Sequence, residues 1–292
     1  MSKVVAITNQ KGGVGKTTTA INLGASLALA DRRILLIDTD PQANLTSGVG
    51  LRGKAAAVGS VYDLLAGLDD DVENVDAFLV PSPVDGLTIL PADQNLTGAE
   101  IELVTLPQRE RRLRRSLQRL RDRFDYIFID CPPSLGLLTL NALVAADAVL
   151  IPLHCEYFAL EGLADLVSTL RRVRASFNHD LDIEGVLLTM YDDRTNLAQQ
   201  VAREVREFFK EKVFQTVIPR NVRLGEAPSH GLPVVLYDVK SRGAEAYVAL
   251  AKEFLARNQG EQRPATSAEL HKRESPMAPG GAAPPAVQEG EP

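Results

Sequence analysis

Short apolar runs rich in β-branched residues alternate along this chain with longer stretches in which apolar positions recur every three or four residues. The runs at 4–8, 34–38, 87–90, 126–130, 148–153, 185–190, 216–218 and 234–237 predict strands. Several are nearly continuous hydrophobics, the pattern of strands covered on both faces. Helical spacing begins at about Thr18 and runs to Ala30. It returns in Leu113, Leu117, Leu120 and Phe124, in Leu160, Leu163, Leu166, Leu170 and Val173, and in Val201, Val205, Phe208 and Phe209. A last helix, 243–257, carries Tyr247, Leu250, Ala251, Phe254 and Leu255 on one stripe, which reads as core packing rather than membrane contact. Strand–helix alternation of this kind predicts an α/β fold: a doubly wound, mostly parallel sheet with helices on both faces. There is no internal repeat. The pattern stops after residue 258. Residues 259–292 hold six prolines, four glycines and no aromatic residue, and so predict a disordered tail on a single domain spanning 1–258.

Two punctuation points in this pattern carry chemistry. The first is Gln10-Lys11-Gly12-Gly13-Val14-Gly15-Lys16-Thr17-Thr18, between the first strand and the first helix. Small residues there let successive N–H groups turn inward around phosphate oxygens, and the helix start adds a favourable dipole. Lys16 would reach the β- and γ-phosphates and the Thr17 hydroxyl would hold Mg²⁺. The strict motif wants glycine at position 10. This chain has Gln10 there with Lys11 beside it, a second lysine with no obvious role in a cradle already served by Lys16, and one that could reach phosphates on a partner subunit.

The second is a pair of strands ending in carboxylates. Ile34-Leu35-Leu36-Ile37-Asp38-Thr39-Asp40-Pro41-Gln42 should deliver Asp38 and Asp40 beside the loop, since ligands in α/β sheets sit at the carboxyl ends of strands. A carboxylate there can orient the water attacking a γ-phosphate or support the Mg²⁺ shell. Phe124-Asp125-Tyr126-Ile127-Phe128-Ile129-Asp130-Cys131-Pro132-Pro133 places Asp130 as a further Mg²⁺ partner, through Thr17 or a coordinated water.

These boxes resemble the deviant Walker A box and its companions in the ParA/MinD ATPases, P-loop NTPases. The segments 190–197 and 218–243, with Pro219-Arg220-Asn221-Val222-Arg223-Leu224 and Tyr237-Asp238-Val239-Lys240-Ser241-Arg242-Gly243, are similar to the chromosomal ParA (Soj) branch. The likeness spans about 1–257. It implies an ATP sandwich homodimer in which Lys11 reaches the partner's phosphates, Asp40 positions the attacking water, and Pro219 and Asn221 hold the adenine. It also implies non-specific binding of double-stranded DNA by the ATP-bound dimer, release on hydrolysis stimulated by a ParB-like centromere-binding protein, and a cytoplasmic, nucleoid-associated location. The helix-turn-helix extension of larger plasmid relatives is absent before Lys3, so operator-specific repression is not expected.

Composition narrows this further. A net charge of −6 over 292 residues argues against a broadly basic surface, so DNA contact must come from a local patch. Candidates are Arg194, Arg220, Arg223, Lys240 and Arg242, some of which could instead pair with acids such as Asp192 and Asp238. Eight arginines between 109 and 123 read first as a solvated helix face. Cys131 and Cys155, outside any CxxC pair, read as buried filler in a reducing cytoplasm, and four scattered histidines make no metal cluster. No apolar stretch approaches the roughly 20 residues that span a bilayer. A membrane-positioning ATPase would need a terminal amphipathic helix in place of the polar tail. An iron–sulfur reductase would need bridging cysteines, and a ligase a second substrate pocket.

Overall fold

A computed structural model describes residues 2–53, 58–67 and 72–259; the predicted tail lies outside the described residues but for its first, Gln259. Among the described residues seven strands form one sheet: β1 (Lys3–Ile7), β2 (Ile34–Asp38), β3 (Val80–Pro81), β4 (Leu87–Leu90), β5 (Tyr126–Asp130), β6 (Ala148–His154) and β7 (Asp182–Thr189). Their order is β3-β4-β2-β5-β1-β6-β7, parallel throughout except for the β3–β4 edge pair. Period-two alternation splits the central strands between two cores. Val4, Ala6, Leu35, Ile37, Ile127 and Ile129 enter one, while Val5, Ile7, Ile34, Leu36, Tyr126 and Phe128 enter the other. That is why these strands read as unbroken hydrophobics: both faces are covered.

The second core is closed by α1 (Lys16–Ala28), α2 (Asn44–Gly48) and the C-terminal helices. The first is closed by α3 (Val61–Ala66), α4 (Leu96–Glu102), α5 (Arg112–Gln118), α6 (Leu137–Ala145), α7 (Ala159–Ser176) and α8 (Asn196–Phe209). The last segments are α9 (Val222–Glu226), α10 (Val234–Tyr237) and α11 (Arg242–Asn258). Tyr247, Leu250, Ala251 and Phe254 of α11 are buried, Leu255 partly so, and Phe254 meets Tyr126 edge-on at 5.1 Å.

Four expectations need correction. Val234–Tyr237 is a helical turn, not a strand. Pro233 opens it, its carbonyl accepting from Leu236 and Tyr237 at 3.0 Å, and the Val234 amide is taken by Asn22 Oδ1 at 2.7 Å. Residues 216–218 run beside β7 without forming a strand. Ile218 donates to the Leu188 carbonyl at 2.8 Å, but the Gln215 and Thr216 amides go to the Glu253 carboxylate, at 2.8 and 2.9 Å, so the ladder cannot continue. The helix over the Leu113 stripe ends at Gln118, with Leu120 and Phe124 buried beyond it. Phe208 is 69% exposed, packed edge-on against Phe209 instead of filling the core.

Two loops cross tightly near the carboxyl edge. Gly231 sits at φ +66, and a Cβ there would lie 2.6 Å from the Gly50 Cα. Gly231→Ala should therefore lower stability by about 1–3 kcal/mol through overpacking, read as a shifted urea midpoint at unchanged slope. Gly162→Ala in α7, where a Cβ meets nothing within 4 Å, should be neutral or stabilising by up to about 1 kcal/mol.

Candidate functional site

Register brings the chemistry to one edge. Ile7 of β1 and Asp38 of β2 both lie opposite Asp130 of β5, so the strand leading into the loop and the two acidic strand ends finish together. Beyond β1, Asn9 is buried. Its Nδ2 donates to the Pro152 carbonyl at 2.8 Å, and its Oδ1 accepts from the Lys11 amide at 3.0 Å, which fixes the loop entrance. Gly12 and Gly13 are exposed with open space around them. Thr189 Oγ1 donates to the Val14 carbonyl at 2.8 Å, anchoring the loop from β7. Gly15, at φ +88, is the N-cap of α1. It offers no side chain to the first turn, and that turn holds no acid, an arrangement that suits an anion. Thr17 and Thr18 are half-buried on that turn.

The acids are withdrawn from water. Asp38 is fully buried and accepts from the Thr46 amide at 2.9 Å, the Thr46 hydroxyl at 2.7 Å and the Asp40 amide at 3.2 Å. Burial nevertheless pushes its carboxyl up to about 6, against those hydrogen bonds. Asp40, nearly buried, accepts from the Gln42 amide at 3.0 Å. Both Asp130 oxygens are buried with no hydrogen-bond partner of normal geometry. Burial and then the charge of Asp38 hold its carboxyl well above the usual range, while the Thr17 hydroxyl, close but outside that geometry, and Lys16 act the other way. Lys16, largely buried, donates to the Lys11 carbonyl at 3.1 Å. Burial lowers its pKa, opposed by Asp130, Cys131 and Asp40.

Three carboxylates around one internal ammonium leave excess negative charge. Orphaned buried oxygens are costly without a partner. The donor set at hand, the Asp130 carboxylate, the Thr17 hydroxyl and Asp38 behind them, is all hard oxygen and fits Mg²⁺. Cys131 is buried with its thiol pushed up by desolvation, and Cys155 is pushed up to about 11 for the same reason, as suits filler.

Lys11 does not enter the cradle. Its ammonium pairs with Glu156, whose other oxygen lies 2.6 Å from His154 Nδ1. No sequence motif marked Glu156, which lies 145 positions away. Asn9, Thr46 and Thr189 were missed for a related reason: short polar residues at strand ends look like ordinary turn formers.

Arg194, Arg220, Arg223, Lys240 and Arg242 are all exposed. The Tyr191–Pro219 bridge sets the segments of Arg194 and Arg220 side by side, and an Arg223–Asp238 contact at 3.2 Å ties α9 to the Lys240 loop. Two of the five are paired with acids: Arg194 binds Asp192 at 2.7 and 2.8 Å, and Arg223 also binds Glu226 at 2.7 Å. Asn221 caps α9, its Oδ1 accepting from the Arg223 amide at 2.9 Å, and Pro219 stands half-buried before it. Of the arginine-rich stretch, Arg112 is buried on the carbonyls of Leu65 and Gly67, Arg121 is held by Asp147 at 2.9 and 3.0 Å, Arg109 pairs with Glu110 and Arg123 with Asp76.

A protein-family model described as an AAA domain matches residues 2–183. The chain is 58% identical over 256 residues to the sporulation initiation inhibitor protein Soj of Bacillus subtilis, covering 88% of this chain and 99% of that one. It is 54% identical over 258 residues to the chromosome partitioning protein ParA of Myxococcus xanthus, covering 88% and 89%. Among solved structures, the cobyrinic acid a,c-diamide synthase of Mycobacterium smegmatis, with bound ATP analogue and magnesium, superposes with a TM-score of 0.76 at 39% identity, covering 90% and 98%.

Asp38→Asn tests the electrostatics. The folded pKa, about 6, lies above the ordinary 3.8, so the contribution of this group is most favourable below about pH 4 and is lost as pH rises through 6. Asparagine gives up part of the acceptor set for Thr46 and Asp40 at either pH but escapes that loss, so urea unfolding of the nucleotide-free protein should favour the variant, relative to wild type, by about 2–3 kcal/mol more at pH 7.5 than at pH 4. Equal effects at the two pH values would contradict the assignment.

Proposed function

We propose that this chain, which belongs to the AAA-domain family and within it to the Soj/ParA chromosome-partitioning ATPases, is a DNA-partitioning switch worked by ATP. The observation that carries the reading is the division of labour between two lysines. Lys16 is buried inside the loop, whereas Lys11 projects from its rim with a side chain 40% exposed. A cation at the rim is placed to reach phosphates that its own subunit does not hold. On this reading ATP closes two identical subunits face to face, each giving Lys11 to the other's nucleotide.

Within each subunit, residues Gly12 to Thr18 cradle the phosphates, Lys16 contacts the β- and γ-oxygens, and Pro219 and Asn221 flank the adenine. Thr17 and Asp130, with Asp38 behind them, would hold Mg²⁺, which when bound neutralises charge on the phosphate oxygens. Asp40 holds and polarises the attacking water. Close packing at the rim demands a small residue at Gly12. The bound nucleotides of the related synthase structure support ATP and Mg²⁺ as the cofactors.

The loops bearing Arg194, Arg220, Arg223, Lys240 and Arg242 form the face for duplex DNA. Phosphate contacts need cations in no particular order, so binding is non-specific and a dimer doubles a modest patch. A ParB-like centromere-binding protein stimulates hydrolysis and release, and the cycle moves replicated origins over the nucleoid in the cytoplasm. No helix among the described residues is long and apolar enough to cross a membrane. A second reading, an ATP-dependent amide ligase, draws on the name of the solved structure at 39% identity; the partitioning relatives are nearer in sequence.

Asp40→Ala should slow ATP hydrolysis by roughly a hundredfold or more and leave the protein on DNA in an ATP cosedimentation assay. Wild-type turnover in that variant would remove Asp40 from its role, and no ATP-dependent DNA binding by wild type would favour the ligase. Arg223→Ala should weaken duplex binding evenly across sequences and, with one arginine lost from each subunit of the dimer, reduce the slope of log affinity against log salt by about 2. An unchanged slope and affinity would take Arg223 off the DNA face.

A further inference from the structure

The turn between β6 and α7 holds a carboxylate at the loop rim. The Glu156 amide donates to the His154 carbonyl at 2.8 Å, and the Glu156 carbonyl accepts from the Ala159 amide at 3.0 Å, so its backbone is fixed. Its two oxygens are divided between Lys11 Nζ and His154 Nδ1. The hydrogen bond from Lys11 keeps its carboxyl below the usual range, against desolvation. On the other side, the Lys11 amide is held by Asn9 and its carbonyl by Lys16, leaving the side chain as the part that can swing. Both partners are less than half exposed, at 40% and 44%, and open to exchange with a competing anion.

We infer that Glu156 is a positioning residue that holds Lys11 in cis in the resting subunit and competes with its transfer to a triphosphate across the dimer. The inference rests on the sandwich-dimer reading. The γ-phosphate carries more charge than one carboxylate, so ATP wins the exchange where ADP, which lacks that group, does not. Glu156 thereby raises the triphosphate requirement for closing the dimer.

The test is Glu156→Gln, read in two ways. In nucleotide-free protein, the rate at which acetic anhydride acylates Lys11 is followed by peptide mass spectrometry; an amine held against the Glu156 carboxylate is shielded from the reagent. The variant should react about two- to fivefold faster than wild type at low salt, the gap closing at 1 M salt as screening removes the pair. With ATP and Mg²⁺, its dimerisation midpoint should fall up to about fivefold. Equal acylation rates would overturn the cis pair whatever the dimer does. Faster acylation with an unchanged or raised midpoint would overturn the competition. If neither protein dimerised, the proposed function would fail, while acylation would still decide whether Glu156 holds Lys11.

Discussion

Excess negative charge at the carboxyl edge of a buried sheet is the constraint on which this molecule turns. Asp38 and Asp130 end adjacent strands at the same register position, both fully buried, and Asp40 stands just beyond. Lys16 supplies one compensating charge and is itself made less basic by burial. A fold spends stability on such a cluster when a ligand of opposite character completes it. Here the first turn of α1 carries no acid and no side-chain cap, and the Asp130 oxygens have no hydrogen-bond partner of normal geometry among the described residues, which suits an anion at the one and a cation at the other. Two hydrophobic layers, one on each face of the sheet, hold the strand ends rigid enough to keep like charges together.

The same scaffold ties the site to the loops that follow β7. Thr189 at the end of β7 holds the Val14 carbonyl. Asn22 of α1 binds the Val234 amide, and Thr19 of α1 meets Tyr247 of α11 at 3.2 Å. The Gly50–Gly231 crossing joins the segment after Asp40 to the turn after α9. Buried polar contacts thus link α1 to α10 and α11, close to the candidate DNA cations. Of those cations, Arg194 and Arg223 already have half-buried acidic partners, Asp192 and Glu226, which a polyanion reaching the two arginines would have to displace.

Much of this was legible in the chain. The central strands are continuous apolar runs because both faces are covered, and a strand covered twice has little else it can be. The phosphate loop and the terminal aspartates were legible because their chemistry demands fixed local spacing. Val234–Tyr237 misled because its β-branched residues favour strands while Pro233 and the distant Asn22 decide otherwise. Residues 216–218 misled because Glu253, on α11, takes the amides a ladder would need. Glu156 was invisible for the same reason: its partner Lys11 is brought to it by the β1–β6 pairing, and no local pattern encodes that meeting.

Static light scattering of the wild-type chain with Mg²⁺ and a non-hydrolysable ATP analogue, beside Lys11→Ala, tests the central claim most directly. The account predicts twice the monomer mass for wild type with the analogue, monomer with ADP, and monomer for Lys11→Ala in both although it still binds nucleotide. A wild-type chain that stays monomeric when saturated with the analogue, or a Lys11→Ala chain that dimerises as readily as wild type, would contradict it.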